Sequence, residues 1–136
     1  MSASSSELTA DLAELVTLAR SVRERAYAPY SRFLVGAALR ADNGQVFLGC
    51  NVENASYGAT ICAERAAILA MIAAGERAVT AIAVFTDADT LAMPCGLCRQ
   101  VISEFQQGAR LVVANPRERR VLGFSEIFPE PFVLER

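Results

Sequence analysis

Two short cysteine-containing stretches place the strongest constraint on how this chain can fold. The first is 62–65 (Cys-Ala-Glu-Arg) and the second is 94–99 (Pro-Cys-Gly-Leu-Cys-Arg). They hold three of the four cysteines, and each stretch stands where a helix is predicted to begin. A helix N-terminus stabilises thiolates through the positive end of its dipole. A fold that brings the two stretches together would let three thiolates hold one zinc ion, with Glu64 beside it to handle protons.

The residue types that are missing exclude several kinds of chemistry. The 13 basic residues are all arginines, and the chain has no histidine. Without lysine there is no Schiff-base chemistry and no phosphate-binding P-loop lysine. Without histidine there is no Ser-His-Asp triad and no imidazole metal ligand. A metal must therefore be held by sulfur and oxygen, and a general base must be a carboxylate or a metal-bound group.

The length predicts a single domain, residues 1–136, and the charge and hydropathy predict neither a membrane nor a nucleic-acid partner. The net charge is −2 and the pI is about 5.2, which argues against a large basic nucleic-acid surface. The longest apolar run, 66–74, is too short for a membrane span. The first six residues lack the features of a secretory signal, so we expect a cytoplasmic protein with reduced thiols. The 53% hydrophobic content hints at burial between subunits.

The order of the predicted elements indicates an α/β protein. We predict a helix at 6–26 capped by a serine among 4–6, followed by strands at 33–40 and 45–50 joined by a turn at 42–44. A helix at 62–74 closed by Gly75 and a strand at 80–86 come next. The remaining elements are a helix with Pro94 in its first turn that ends before Gly108, a strand at 110–114, an edge strand at 120–124 and a short helix at 125–128. This order predicts a three-layer α/β/α fold with a mixed five-stranded sheet. Ligands of such sheets bind at the carboxyl ends of the strands.

A polar stretch between the second strand and the second helix contains Asn51 and Glu53. If the stretch is extended, these two side chains point the same way and can hold nearby hydroxyl groups. On spacing alone, an ordinary turn-rich loop explains the same residues better.

The fourth ligand of a zinc ion would decide the class of site. Cys95 and Cys98 are three residues apart, so both sulfurs can face one point, and Arg65 and Arg99 could donate hydrogen bonds to the sulfurs. If Cys50 completes the set, the site is closed and structural. If it does not, the fourth position is open for water, whose pKa zinc lowers to about 7.

An open site gives Glu64 a role as proton carrier, and we favour it for that reason. Three cysteine ligands, a glutamate that does not bind the metal and a Pro-Cys-x-x-Cys element are the signature of zinc deaminases.

The sequence closely resembles the small, homotetrameric type of cytidine deaminase over almost the whole chain. The resemblance rests on the motifs at 28–38, 49–57, 62–65 and 94–100, and on the tail at 128–132, where Phe128 replaces the usual leucine. It implies a zinc-dependent enzyme of pyrimidine salvage that hydrolyses cytidine and deoxycytidine to uridine and deoxyuridine plus ammonia.

The resemblance also implies a role for individual residues. Phe33 and Phe132 taken alone would fit plain core packing better. The implied roles are zinc binding by Cys62, Cys95 and Cys98, proton transfer by Glu64, ribose binding by Asn51 and Glu53, contact with the base by Phe33 and the backbone of Ala63, and completion of a neighbouring subunit's pocket by Tyr57 and Phe132.

Three rival functions stay open at this point. The first is a zinc deaminase for another amino-pyrimidine or an aminopurine, and the second is a polynucleotide deaminase, which the net charge opposes. The third is a non-catalytic binding module stapled by zinc, which predicts four sulfur ligands, Cys50 included.

Overall fold

The computed structural model describes residues 7–135, and it has four helices and five strands in that range. A short 3₁₀ turn, Tyr57–Ala59, lies in the polar stretch before the second helix. The elements in chain order are α1 (Ala10–Arg23), β1 (Gly36–Ala41), β2 (Val46–Cys50), α2 (Ala63–Ala73), β3 (Val79–Phe85), α3 (Gly96–Phe105), β4 (Gln106–Ala114), β5 (Arg119–Gly123) and α4 (Phe124–Ile127).

The five strands form one mixed sheet in the order β2-β1-β3-β4-β5. β1 is antiparallel to both β2 and β3, β3 is parallel to β4, and β5 is antiparallel to β4. β2 and β3 therefore run in the same direction and end at the same edge of the sheet. Since α2 follows β2 and α3 follows β3, both helices begin near that edge.

Alternate residues of the central strands face two separate apolar layers. On one face Ala81, Ala83 and Val112 pack with α1. On the other, Ile82, Val84 and Leu111 pack with α2 and α3. The two layers of helices enclose the sheet, which confirms the predicted three-layer fold with a mixed five-stranded sheet.

The first helix is shorter at both ends than predicted. It is capped by Thr9, whose side-chain oxygen accepts a hydrogen bond from the Leu12 amide. The predicted serine cap is therefore wrong, and the serines at 4–6 lie outside the described residues. The helix ends at Arg23 because Tyr27 pairs with the 51–53 stretch, where its amide donates to the Asn51 carbonyl.

The second helix ends at the predicted glycine cap, and its start packs directly against β2. Its C-terminus is a Schellman motif: the Gly75 amide donates to Ile72, the Glu76 amide donates to Met71, and φ of Gly75 is +94°. At its start, α2 lies directly against Gly49 of β2. A Cβ atom on Gly49 would come within 2.4 Å of the Ala63 carbonyl oxygen and the Ala67 nitrogen. Gly49 therefore allows the helix that carries Glu64 to lie against the sheet.

Two boundaries of the third helix differ from the prediction. Pro94 precedes the helix, because Cys95 is the N-cap and Gly96 is the first helical residue. The helix also ends at Phe105, before Gly108, and β4 follows at once. Gln106 is already extended and pairs with Val79 of β3, and the register shift just after it includes Gly108 with φ of +57°. Pairing with β3 therefore overrides the helix-ending signal of the glycine.

We predict that Gly49→Ala lowers the free energy of unfolding by about 1–3 kcal/mol, because the new methyl group overlaps the backbone of α2. Urea denaturation of the zinc-loaded protein measures the change. Gly58→Ala is the matched control, since a Cβ atom there meets nothing within 4 Å. Its effect should stay within about 0.5 kcal/mol. Equal losses in both variants would contradict the proposed packing limit at Gly49.

Candidate metal centre and active site

Three cysteine thiols converge at the starts of α2 and α3. Cys62 is the N-cap of α2, Cys95 is the N-cap of α3, and Cys98 lies in the first turn of α3. Their sulfur atoms all lie within 4.8 Å of one another. Tetrahedral zinc with Zn–S bonds of about 2.3 Å needs sulfurs roughly 3.7 Å apart, so the group fits a zinc ion with small adjustments. Both N-cap residues are extended, with ψ of 154° for Cys62 and 170° for Cys95.

Cys50 does not belong to this group. Among residues 7–135, the set of side chains placed to share a metal ion consists of the three helix-start cysteines. Cys50 is a partly buried free thiol at the end of β2, opposite Gly36 in the β1–β2 ladder. The arrangement therefore favours three sulfur ligands over the closed four-sulfur alternative.

The pKa values of two of the thiols, Cys62 and Cys98, are shifted in opposite directions. The pKa of Cys62 is lowered to about 5, mainly because the Cys98 thiol donates a hydrogen bond to its sulfur, with further help from the Arg65 guanidinium. The pKa of Cys98 is raised because its proton is held in that hydrogen bond and because the thiol is buried. Cys62 is thus ready as a thiolate ligand before Cys98 is.

The two arginines that follow the cysteines have different partners. Arg65 Nη2 lies 3.6 Å from the sulfur of Cys62 and 3.1 Å from the carbonyl oxygen of Thr60. Arg99 instead donates to the carbonyl oxygens of Pro94 (2.8 Å) and Ile127 (2.8 Å). In the described part of the chain Arg99 makes no hydrogen bond to a sulfur, so that expectation is not met. Arg99 holds the backbone just before Cys95 and joins it to α4.

Glu64 is a buried carboxyl group beside the thiols. It is 5% exposed and lines a cavity of about 240 Å³ together with Cys62 and Cys95. Residues two apart would diverge within a helix, but Cys62 is an extended N-cap, so the two side chains reach one cavity. Burial raises the pKa of Glu64 to about 7, and the nearby Cys62 charge adds to the effect. Such a group can both accept and donate a proton near neutral pH.

The cavity is also lined by the polar pair Asn51 and Glu53. Asn51 Nδ2 donates to the Phe33 carbonyl oxygen, and its Oδ1 accepts from the Val35 amide, both at 2.8 Å. Glu53 Oε1 accepts from the amides of Tyr30 (2.9 Å) and Ser31 (3.1 Å), and Oε2 accepts from the Ser31 hydroxyl. The hydrogen bond from that hydroxyl is the main reason why the pKa of Glu53 is lowered. Both side chains therefore fix the loop before β1 and point into one cavity.

The remaining predicted residues are divided between the cavity and the surface. Phe33 and the first residue of α2, Ala63, line the cavity. Tyr57 is 81% exposed and lines a neighbouring groove that shares Ser31, Glu53 and Thr60 with the cavity. Phe132 is 64% exposed, and its backbone is held by two hydrogen bonds with the Gln100 side chain. Within one chain neither ring lines the metal cavity.

Several lining residues were not singled out from the sequence. Thr86, Ala92 and Met93 line the cavity, as do Ser31 and Thr60. Thr86 follows β3 directly, so the rule that ligands bind at strand carboxyl ends could have identified it.

A cluster of three thiols at two helix starts, with a buried carboxyl group in the same cavity, defines the zinc-dependent deaminase class of active site. The sequence profile described as the cytidine and deoxycytidylate deaminase zinc-binding region matches residues 9–115. The chain therefore belongs to the cytidine and deoxycytidylate deaminase family.

Individual relatives agree with this assignment. A cytidine deaminase from Halalkalibacterium halodurans is 44% identical over 123 residues, which is 89% of this chain and 93% of the relative. The crystal structure of cytidine deaminase from Burkholderia pseudomallei has 45% identity and a TM-score of 0.84, covering 88% of this chain and 98% of that one. The cytidine deaminase structure from Mycobacterium tuberculosis has 38% identity and a TM-score of 0.79, covering 93% and 100%. Within residues 7–135, no helix has the length and apolar character that crossing a membrane requires.

We predict that Cys95→Ser loses zinc and that Cys50→Ser keeps it. Replacing one of three thiolate ligands removes a strong zinc bond, whereas Cys50 lies outside the group. Metal analysis after gel filtration measures the zinc content of each variant, with the native protein as reference. Zinc loss from Cys50→Ser at native-like circular dichroism would show that Cys50 is a ligand and that the site is closed.

Proposed function

We propose that this chain catalyses the hydrolytic deamination of cytidine and deoxycytidine. Each substrate takes up one water molecule and yields uridine or deoxyuridine plus ammonia, a reaction of pyrimidine salvage. The observation that carries the proposal is the convergence of three cysteine sulfurs within 4.8 Å beside the buried carboxyl group of Glu64. The similarity to proteins named cytidine deaminases supports the choice of substrate.

We assign the zinc ion to Cys62, Cys95 and Cys98. Zinc bound there supplies a Lewis acid that lowers the pKa of a water molecule to about 7 and so provides a nucleophile. Arg65 offsets part of the negative charge of the thiolates through its contact with the Cys62 sulfur. Arg99 keeps Cys95 in place through the Pro94 carbonyl.

Glu64 carries both protons of the reaction. Its carboxylate accepts the first proton as water attacks C4 of the pyrimidine, and delivers it to N3. It then takes the second proton from the new hydroxyl group and gives it to the departing amine, which leaves as ammonia. The carboxyl group ends in its starting state, so one water is consumed for each ammonia released. The low exposure of Glu64 keeps bulk water from competing for these protons.

The other lining residues orient the nucleoside. Asn51 and Glu53 bind the sugar hydroxyls, Phe33 packs against the pyrimidine ring, and the Ala63 backbone contacts the base. All four line the same cavity as Glu64, which supports this assignment.

We further propose that the chain acts as one catalytic domain and assembles as a homotetramer. Tyr57 and Phe132 of one subunit complete the pocket of a neighbour. Large apolar side chains outside the core support an assembly, since Leu69 of α2 is 57% exposed and Leu97 of α3 is 67% exposed.

We expect Glu64→Gln to keep its zinc and to lose about 100- to 10,000-fold in kcat, because the amide cannot carry protons. Ammonia release and the absorbance change from cytidine to uridine measure the rate. Glu104→Gln is the matched control, since Glu104 is exposed on α3 outside the cavity. Native activity in the control and loss in Glu64→Gln would support the proposal. A zinc-loaded native protein that leaves both nucleosides unchanged would refute it.

Subunit mixing tests the proposed assembly. Phe132→Ala chains and Glu64→Gln chains are expected to be weakly active when each is pure. If Phe132 acts in a neighbouring pocket, co-refolded mixtures contain sites with an intact Glu64 and a neighbour's intact Phe132. The mixture should then be several-fold more active than the sum of its parts, and light scattering should give four chains per particle. A strictly additive activity would contradict a role of Phe132 between subunits.

A further inference from the structure

Part of the cavity wall lies just beyond the end of the β1–β3 ladder. The last pair of this ladder at the cavity end is Gly36 with Phe85. In the same antiparallel register, the next positions would be Val35 opposite Thr86 and Leu34 opposite Asp87. These positions are not paired in the ladder, and both Val35 and Thr86 line the cavity. The width of the cavity at this edge therefore depends on how far the two chain segments move apart.

The guanidinium of Arg23 bridges the two chain segments beyond the last ladder pair. Arg23 Nε donates to the Leu34 carbonyl oxygen at 3.2 Å, and Nη2 donates to the Asp87 carboxylate. Nη1 also pairs with Glu24 at 2.9 Å. The Arg23 side chain is only 14% exposed, so it is packed between the segments rather than extended into solvent. One cationic group thus links the segment before β1 to the loop after β3.

Arg23 binds the backbone of segment 33–35, from which the side chains of Phe33 and Val35 line the cavity. Leu34 lies between Phe33 and Val35, and side chains alternate in an extended segment. Asn51 binds the carbonyl oxygen of Phe33 and the amide of Val35. The segment 33–35 is therefore held by Asn51 on one side and by Arg23 on the other, although Arg23 itself does not line the cavity.

The helix that carries Arg23 is closely packed on the strand. A Cβ atom on Gly36 would come within 1.9 Å of the Ala19 carbonyl oxygen and 2.8 Å of the Arg23 nitrogen. The backbone of α1 is thus in direct contact with the start of β1. Because the backbone that carries Arg23 is packed tightly against β1, its guanidinium can hold its two partners at a defined distance. A flexible surface side chain would not do so.

We propose that Arg23 is a positioning residue that sets the separation between segment 33–35 and the loop beginning at Asp87, and thereby the fit of the pyrimidine ring in the cavity. The proposal rests on the proposed deamination of a pyrimidine nucleoside. The reacting groups are anchored elsewhere. Glu64 lies in the first turn of α2, and Arg99 holds the residue before Cys95. Loss of Arg23 therefore changes substrate binding and leaves the chemical step in place.

The test compares steady-state constants of four zinc-loaded variants. We expect Arg23→Met to raise KM for cytidine about 10-fold or more and to change kcat less than about 3-fold, because a misplaced wall weakens binding without touching Glu64. Asp87→Ala should raise KM less, since the Leu34 bond remains. The double variant should match Arg23→Met alone, because both changes break one bridge. Arg25→Met is the matched control, since Arg25 is exposed in the turn just after the same helix and should keep native constants.

Two results would overturn the proposal. One is a KM of Arg23→Met no higher than that of Arg25→Met, and the other is a loss confined to kcat. A purely structural role would lower Tm and leave KM unchanged well below the melting temperature. If Arg23→Met does not fold, Asp87→Ala decides on the same criteria, because Asp87 is 57% exposed and its removal leaves the core intact.

A second readout separates this proposal from the proposed function. Hydrogen exchange of the Val35 and Asn51 amides, which are hydrogen-bonded across this segment, should become about 10-fold faster in Arg23→Met. The amide of Ile82 in the central strand should not change. If the native protein deaminates no nucleoside, the proposed function fails, and the exchange rates alone decide whether Arg23 holds the cavity wall. Unchanged exchange at Val35 and Asn51 would refute that role.

Discussion

The whole site depends on two helices that begin at one edge of the sheet. β2 and β3 run in the same direction although β1 lies between them, so the helices that follow them start side by side. Each start provides an N-cap cysteine in an extended conformation. Positive helix ends and a common position bring the three sulfurs together at one edge of the sheet. The glycine at position 49 is part of the same constraint, since it lets α2 lie against the strand that precedes it.

Much of the fold and the metal group could be predicted from the sequence because their signals are local. Cysteine spacing, strand patterns and the order of elements predicted the mixed sheet, and the three-sulfur group lies where the motifs indicated. The boundary between α3 and β4 could not be predicted, because pairing of Gln106 with a strand 27 residues earlier decides it. Arg99 was assigned a sulfur partner from proximity in sequence, yet its bond partners lie at Pro94 and Ile127.

The residues that shape the cavity wall were harder to identify because their contacts are also distant in sequence. Arg23 contacts Leu34, 11 residues away, and Asp87, 64 residues away. Nothing in the periodicity of α1 distinguishes it from the neighbouring Arg25. Side chains that act through backbone carbonyls leave no pattern in a single sequence. They become visible only when the register of β1 and β3 shows where the ladder ends.

The amide of Asn51 has a thermodynamic consequence for ligand binding. Its oxygen and nitrogen are both bound to the chain's own backbone, and the residue is 9% exposed. Its rotamer is therefore selected when the chain folds, and a ligand meets a side chain that has already lost its torsional entropy. Ordering a free polar side chain on binding typically costs about 0.5–1.5 kcal/mol. In this protein the side chain is ordered during folding. The free energy of binding a small ligand therefore does not include the cost of ordering Asn51.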